Sequence, residues 1–365
     1  MLSSTGRAQE AWLVTYGPGE EVWEMFGHNA LWLRDPATGL DHTYSFGYFE
    51  IERAGFHLDF ARGIMNYYGA ASPAEREFAF YRQRGRSISA QKLALAPEQV
   101  RELHRALHGA IHPHPRFYAY DYYRANCSTW LRDLINDATG DQLRPGLQAT
   151  PARLNYRDHT RRMTHHRPWI QTGILLLMGH AIDQPITAWE EAFLPEALAR
   201  WLAEAELDTG PLVTDRMVLH DPGIFVPPPS PRSPWGLLLL AGLVGGGLIV
   251  LATRRGGAAG AWVWRLGAAG AGLAGSVLLL MALATDHHDT GGNAALLLLH
   301  PLWWLLLVPR VARWKRWLKL GLLLSMLAGA LVLAWPGLLQ DRPALLGLLL
   351  PILAAILWSA GRSRR

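Results

Sequence analysis

The sequence predicts an α+β soluble domain followed by an α-helical membrane bundle. Half of the 365 residues are hydrophobic, and the mean hydropathy of +0.05 is high for a soluble protein. Charged, aromatic and apolar residues are mixed before residue 220, whereas Leu, Ala, Gly and Trp dominate after Trp235. A proline-rich stretch lies between the two parts. We therefore predict a soluble domain over 1–220, a semi-rigid linker over 221–234 and a membrane domain over 235–365.

Short runs rich in β-branched and aromatic residues predict the strands of the soluble domain. Helices are predicted where apolar residues recur at helical spacing, over 97–111, from near Cys127 onward and through much of 150–210. The run around Leu175 is too short to cross a membrane. The predicted strands cover 11–17, 28–34, 42–49 and 86–95.

Five hydrophobic segments are long enough to be membrane spans. The third is the weakest, because His300 and Pro301 lie inside it. A spanning helix needs about 20 apolar residues, or somewhat fewer when its flanks are short. The predicted spans cover about 235–252, 262–284, 293–309, 318–336 and 343–360.

Basic residues are concentrated on alternate sides of these spans. They occur at 254–255, at 310–319 and at 362–365, whereas the two other connections carry only Arg342. The positive-inside rule places the three basic segments in the cytoplasm. The soluble domain is then expected in the periplasm, and the protein is expected in the bacterial inner membrane with a cytoplasmic C-terminus.

The first ten residues, "MLSSTGRAQE", contain no apolar h-region of the kind that directs export. An exported domain ahead of the first span needs such a signal. Two alternatives remain at this stage, namely a start that lies further upstream or a shortened form of the chain.

The single cysteine of the chain, Cys127, lies where a helix is predicted to begin. Asn126 is the expected N-cap of that helix. Exposed amides and the helix dipole at this position are expected to lower the pKa of the thiol. One cysteine also excludes an intramolecular disulfide and a multi-cysteine zinc site.

A cysteine nucleophile needs a base, and His28 in "FGHNAL" is the best candidate among 15 histidines. The strand that follows would hold its ring, and His42 or Tyr44 on the next strand could orient it. Asp41 is a further candidate, although it fits the turn better. Spacing alone leaves the alternative open that Cys127 is a buried, unreactive thiol.

Several blocks resemble one bacterial family in the same order along the chain, over roughly residues 11–309. They include "WEMFGHNALWLRDPATGLDHTYSFGYFE", "FYAYDYYRANCSTWLRDLI", "MGHAIDQPITAWEEAFLPEAL" and "DHHDTGGNAALLLLHPLWW". The family is that of the Lnb-type lipoprotein N-acyltransferases, formerly DUF4105. The paired "FGHNAL" and "NCST" motifs are the specific part of the resemblance.

The order of a histidine strand and then a cysteine helix also resembles permuted NlpC/P60 and lecithin:retinol acyltransferase proteins. The resemblance implies a permuted papain-like fold with Cys127 as nucleophile and His28 as base. It further implies transfer of a fatty acyl chain through a thioester, without a cofactor. The implied donor is a membrane phospholipid or a diacylglyceryl group, and the acceptor is the N-terminal amine of a lipoprotein.

Three residues outside this pair are candidate substrate contacts. His288 and Asn293 belong to "TDHHDTGGN", which could line a lipid entrance, form a solvated turn or, least favourably, hold a metal. Arg157 could face a phosphate or carboxylate, although its segment fits a solvated helix face better. No metal site and no nucleic-acid partner are predicted, because the positive charge is explained by topology.

Two other functions remain compatible with the sequence. A cysteine hydrolase of the same architecture would pass the acyl or peptidyl group to water. A membrane receptor would use the periplasmic module only to bind a ligand.

Overall fold

A computed structural model describes residues 9–309, 314–333 and 342–362 of the chain. The chain forms two compact units. The first contains the described residues up to Met163 together with Pro185–Pro229, and the second contains Thr164–Gln184 and the described residues from Ser230 onward. The segment 164–184 therefore packs with the second unit, although it precedes the linker. The predicted basic residues at 310–313 and 363–365, the end of the fourth predicted span and the start "MLSSTGRA" lie outside the described residues.

A seven-stranded antiparallel sheet forms the centre of the first unit, in the order β6-β4-β3-β2-β1-β5-β9. A separate two-stranded hairpin pairs β7 with β8. The strands are β1 (Glu10–Tyr16), β2 (His28–Asp35), β3 (Leu40–Tyr48), β4 (Asn66–Pro73), β5 (Ile88–Leu93), β6 (Phe117–Ala119), β7 (Glu206–Leu207), β8 (Gly210–Pro211) and β9 (Val213–His220).

The central strands are buried on both faces, which explains their nearly continuous apolar sequences. Successive side chains of a strand point to opposite faces. Leu31 and Leu33 pack into one cluster with helical residues such as Leu131. Ala30 and Trp32 pack into a second cluster on the other face. His28 follows the second set by alternation, whereas its neighbour Asn29 follows the first.

The described residues before Trp235 form nine α-helices, of which α7 belongs to the second unit. Their bounds are α1 (Phe56–Arg62), α2 (Ala74–Gln83), α3 (Pro97–Ile111), α4 (Cys127–Ala138), α5 (Leu143–Ala149), α6 (Tyr156–Thr164), α7 (Pro168–Leu177), α8 (Ala188–Glu191) and α9 (Pro195–Glu204).

The four predicted strands are confirmed, as are the helix over 97–111 and the helix that begins at Cys127. The region 150–210 is helical with interruptions. Its basic segment is not the solvated face that the sequence favoured, because Arg157 and His159 on α6 are both buried.

Among its described residues, the second unit contains four helices that are long and apolar enough to cross a membrane, rather than the five that the sequence predicted. They are α10 (Trp235–Arg255), α11 (Gly257–Ala284), α12 (Lys315–Leu333) and α13 (Arg342–Arg362). The third predicted span, 293–309, is wrong as a long helix. It forms two short 3-10 segments, Ala294–Leu297 and Pro301–Leu307. His300 is extended and Pro301 cannot donate a helical hydrogen bond, so the helix cannot continue through them.

The broken segment returns along α11. A Cβ atom placed on Gly275 would lie 2.4 Å from the Cα of His300, and one on Gly272 would lie 2.9 Å from the Trp304 ring. Further along, the Lys315 ammonium lies 5.5 Å from the ring centre of Trp264, in the first half of α11. The chain thus runs back along α11 without a long α-helix.

Two basic residues of the second unit lie together at one end of its helices. Arg254 and Arg362 lie over the same ring, that of Trp358, at 5.6 and 4.1 Å from its centre. Thr253 and Ser359 share a hydrogen bond of 2.9 Å beside them. The ends of α10 and α13 therefore meet there.

Candidate active site

Cys127 is the first residue of α4, and Asn126 is its N-cap, as the sequence predicted. The Asn126 side-chain oxygen accepts hydrogen bonds from the amides of Ser128 and Thr129, at 2.9 and 3.0 Å. Its amide nitrogen donates to the carbonyl oxygens of Tyr122 and Phe193, at 2.9 and 3.0 Å. The cap thus fixes the helix start on the surrounding loops and determines where the sulfur lies.

A side-chain hydrogen bond joins the two sequence motifs. The Ser128 hydroxyl donates to Asn29 Oδ1 over 2.9 Å, across 99 positions of sequence. Asn29 in turn donates to the Thr15 hydroxyl at 2.9 Å and to the Val14 carbonyl at 3.2 Å. The residue after Cys127 is therefore bonded to the residue after His28.

His28 is the first residue of β2, opposite Tyr16 of β1. Gly27 precedes it with a φ of +82°, a conformation that L side chains rarely adopt. A Cβ atom on Gly27 would also lie 2.8 Å from the Tyr16 carbonyl oxygen. Gly27 is therefore needed for the sharp turn that leads into β2 and places the His28 imidazole at the start of this strand.

Aromatic rings flank the His28 imidazole. Its ring centre lies 6.0 Å from that of Tyr16 and 6.2 Å from that of Tyr81, and the three rings are nearly parallel. The Arg86 guanidinium covers Tyr81 at 4.7 Å from the ring centre. His28 Nε2 is buried and has no hydrogen-bond partner among the described residues.

Burial lowers the pKa of His28 to about 3, and the positive charge of Arg86 acts in the same direction. Imidazolium needs solvation that this position does not provide. The ring is therefore neutral at physiological pH, and a neutral imidazole can accept a proton.

Burial raises the pKa of the Cys127 thiol, so the expectation of a lowered pKa is wrong. Hydrogen bonds from the backbone of Asn29, from Ser128, and the charge of Arg86 favour the thiolate, but they do not offset the burial. Two of the helix-start amides are also satisfied by Asn126. The resting site consequently holds a protonated thiol rather than a preformed thiolate–imidazolium pair.

Tyrosines form part of the surroundings of the sulfur. A Cβ atom on Gly47 would lie 4.0 Å from both Cys127 Cβ and the Tyr118 hydroxyl, and 3.7 Å from the Tyr120 ring. Burial, and next the negative charge of a Cys127 thiolate, raise the pKa of both tyrosines. Their hydroxyls therefore remain protonated. The Tyr118 hydroxyl is buried without a hydrogen-bond partner in the described part of the chain.

The two residues predicted to orient His28 do not lie beside it. His42 pairs with Leu33, five residues along β2 from His28, which corresponds to roughly 16 Å. Tyr44 packs on the opposite face, where its hydroxyl lies 2.9 Å from His104 Nε2. Asp41 accepts a hydrogen bond from the Trp32 indole at 2.6 Å. The prediction that they orient His28 was wrong, because the hairpin register carries His42 away along β2 and Tyr44 faces the other side of the sheet.

One of the three predicted substrate contacts belongs to the first unit, and the other two belong to the second. Arg157 is fully buried in the first unit. Asn293 of the second unit caps the 3-10 segment at 294–297 and donates to the Leu176 and Leu177 carbonyls at 2.7 and 3.2 Å. His288 of that unit is exposed. Among the described residues, no three His, Cys, Asp or Glu side chains are grouped to hold a metal ion.

Sequence reasoning missed Arg86, Tyr81 and Asn29 as parts of this site. Only Asn29 had a local signal, since it follows His28 in the same motif. Arg86 and Tyr81 lie nearly 60 residues from His28, in a segment without a recognisable motif. Pairing of β5 with β1 brings Arg86 to this end of the sheet, and packing of α2 on the sheet brings Tyr81 there.

Comparison with known proteins gives one match. Residues 5–164 match the family model described as the Lnb N-terminal periplasmic domain. No curated protein and no solved structure matches the chain. The matched range contains both His28 and Cys127, and it supports the resemblance to the Lnb type. Together with the four apolar helices of the described residues, the match fits a membrane protein of the Lnb type with a periplasmic N-terminal domain.

Proposed function

We propose that the protein is a membrane-bound acyltransferase that carries a fatty acyl chain on Cys127 and passes it to the N-terminal amine of a lipoprotein. The observation that carries the proposal is the hydrogen bond from Ser128 to Asn29, which joins the cysteine and histidine motifs at the start of β2. The order of a histidine strand followed by a cysteine helix also fits the permuted NlpC/P60-like arrangement that the sequence resembles.

The first half-reaction forms a thioester. His28 Nε2 takes the proton of the Cys127 thiol as the sulfur attacks the ester carbonyl of a phospholipid or diacylglyceryl group. The S–C bond forms, the ester C–O bond breaks, and the leaving alkoxide takes the proton back from His28. A raised thiol pKa and a neutral imidazole suit this concerted transfer.

The second half-reaction moves the acyl chain to nitrogen. The lipoprotein amine attacks the thioester, the C–N bond forms and the C–S bond breaks. His28 accepts the ammonium proton and returns it to sulfur. We assign oxyanion stabilisation to the Tyr118 hydroxyl, since Asn126 already occupies the amides of Ser128 and Thr129.

Cys127→Ala and His28→Ala are each expected to abolish N-acylation, because one removes the acyl carrier and the other the base. Mass spectrometry of lipoprotein N-termini, in cells with and without each variant, measures the amide-linked chain. His57→Ala, at an exposed position, is the matched histidine control and should retain activity. Full activity of Cys127→Ala would rule out the thioester route. Acyl release without a new amide would identify a hydrolase.

The membrane arrangement that we propose has a periplasmic first unit and a cytoplasmic C-terminus. It is supported by the gathering of Arg254, Arg362 and the end of α13 at one end of the second unit. In a Cys127→Ala background, Ser233→Cys should react with an impermeant maleimide in spheroplasts, whereas Ser363→Cys should react only after lysis. The reverse pattern would overturn this topology.

A further inference from the structure

Arg86 is a buried cation at the candidate site that the half-reactions above do not use. Only 4% of its side chain is exposed. An arginine remains charged in such a position, and a buried charge is stabilised only by close partners. Its surroundings therefore show how much of that charge is already compensated.

Two of the three guanidinium nitrogens have partners. Arg86 Nε donates to the Gly17 carbonyl at 2.7 Å, and Nη1 lies 3.7 Å from a Glu24 carboxylate oxygen. That carboxylate is bound more closely by Arg84, at 2.5 Å. Arg86 Nη2 is buried and has no hydrogen-bond partner within the described ranges. Glu24 thus neutralises Arg84 first, and much of the Arg86 charge is left over.

The remaining charge lies at the edge where the reaction is proposed. The guanidinium stacks on Tyr81, whose ring neighbours are Tyr16, at 3.6 Å between ring centres, and His28. The positive charge of Arg86 lowers the pKa of the Cys127 thiol, and the negative charge of a Cys127 thiolate raises the pKa of Arg86. A thiolate at Cys127 would compensate the part of the Arg86 charge that Glu24 does not neutralise.

We propose that Arg86 is an electrostatic positioning residue, whose unpartnered Nη2 group stabilises the negative charge that forms at Cys127 during acyl transfer. This inference rests on the proposed role of Cys127 as nucleophile. The same charge disfavours a proton resting on His28, so the proton is returned quickly to the leaving group. Arg86 thereby favours anionic sulfur and neutral imidazole together.

The test is the pH dependence of Cys127 alkylation by iodoacetamide, measured on the full-length protein in detergent. Because the chain has one cysteine, the rate reports this thiol alone. Loss of a nearby positive charge raises a thiol pKa by roughly one unit or more. Arg86→Met should therefore move the alkylation midpoint up by about one pH unit and slow the reaction about tenfold at pH 8.

Arg86→Lys should keep the alkylation midpoint close to that of the wild type, because lysine retains the positive charge although its shape differs. Arg82→Met is the matched control, since Arg82 is 37% exposed and pairs with Glu75 instead of Glu24. It should leave the midpoint unchanged. A midpoint for Arg86→Met that coincides with that of the wild type would overturn the proposal.

A folding defect can be separated from the electrostatic effect. If Arg86→Met lacks a cooperative melting transition, Arg86→Gln, which removes the charge but keeps a polar side chain, should show the same upward shift. An unshifted midpoint in a folded Arg86→Gln protein contradicts the inference. Because alkylation needs no acyl donor, a shifted midpoint in a protein that shows no N-acylation would retain this inference and reject the proposed function.

Discussion

At the scale of single residues, the two proposed reacting groups of the candidate site, His28 and Cys127, are both uncharged at rest. His28 is neutral because burial lowers its pKa to about 3, and Cys127 is protonated because burial raises its pKa. Each group alone would be a poor catalyst in this state. In the proposed mechanism, the proton therefore leaves the thiol only as the sulfur attacks the acyl carbonyl.

The depressed pKa of His28 predicts acid sensitivity of the fold. The unfolded chain binds a proton at His28 below about pH 6.5, whereas the folded chain does not until about pH 3. Stability contributed by the neutral ring is therefore present above pH 6.5 and is lost as the pH falls toward 3, by up to about 1.4 kcal/mol per pH unit. His28→Asn should flatten this part of the profile in denaturant unfolding.

The matched control for this prediction is His57→Asn, which changes an exposed ring. It should keep the slope of the wild-type profile between pH 6.5 and 4. Equal slopes for His28→Asn and the wild type would show that His28 titrates alike in the folded and unfolded chain.

At the scale of secondary-structure elements, the N-cap of α4 both stabilises the helix and places the nucleophile. Asn126→Ala removes the acceptor of two amides and the donor to two buried carbonyls. We expect a loss of about 2 kcal/mol or more in the free energy of unfolding, because buried groups are left unsatisfied as well as a cap lost. Chemical denaturation measures it.

Thr187→Ala is the comparison, since Thr187 caps the short helix α8 through a single amide at an exposed position. Its loss should cost about 1 kcal/mol or less and leave Cys127 alkylation unchanged. Asn126→Ala should also change the alkylation rate, because the sulfur is no longer held in place. If both variants had similar effects, Asn126 would act only as a helix cap and would not position the Cys127 sulfur.

Elements with a clear pattern of apolar residues or a recognisable helix cap could be predicted from the sequence, and the others could not. The central strands and α4 carry long apolar runs and the Asn126 cap. Strand β4, "NYYGAASP", has small residues and a terminal proline, so only pairing with β3 makes it a strand. In the third apolar segment, hydropathy concealed the break at His300 and Pro301. The partners of His28 were missed because register, not local sequence, selects them.

At the scale of the whole molecule, glycines set the approach of the membrane helices. A Cβ atom on Gly242 of α10 would lie 2.2 Å from the Gly347 carbonyl oxygen of α13, and one on Gly246 would lie 2.6 Å from the Pro351 carbonyl oxygen. This spacing of four is the small-residue pattern by which helices pack closely in lipid. Helices α10 and α13 therefore pack with their backbones in close contact at these glycines.

Gly242→Ala should lower the melting temperature of the detergent-solubilised protein, because its methyl group forces the two helices apart. Gly247→Ala, on the same helix, meets nothing within 4 Å and serves as the control. It should melt at or above the wild-type temperature, since alanine favours the helix. Circular dichroism follows both transitions, and a matching decrease in the two variants would argue against close packing at Gly242.

The hydrogen bond between Ser128 and Asn29 also has a consequence for biosynthesis. A ribosome that adds about 5–20 residues per second takes roughly 5–20 s to pass from one motif to the other. During that time the growing chain has a base but no nucleophile, and the 99-residue loop closes only when α4 docks on the sheet. The proposed acyl carrier therefore becomes active through folding itself, and an unfinished chain cannot consume lipid.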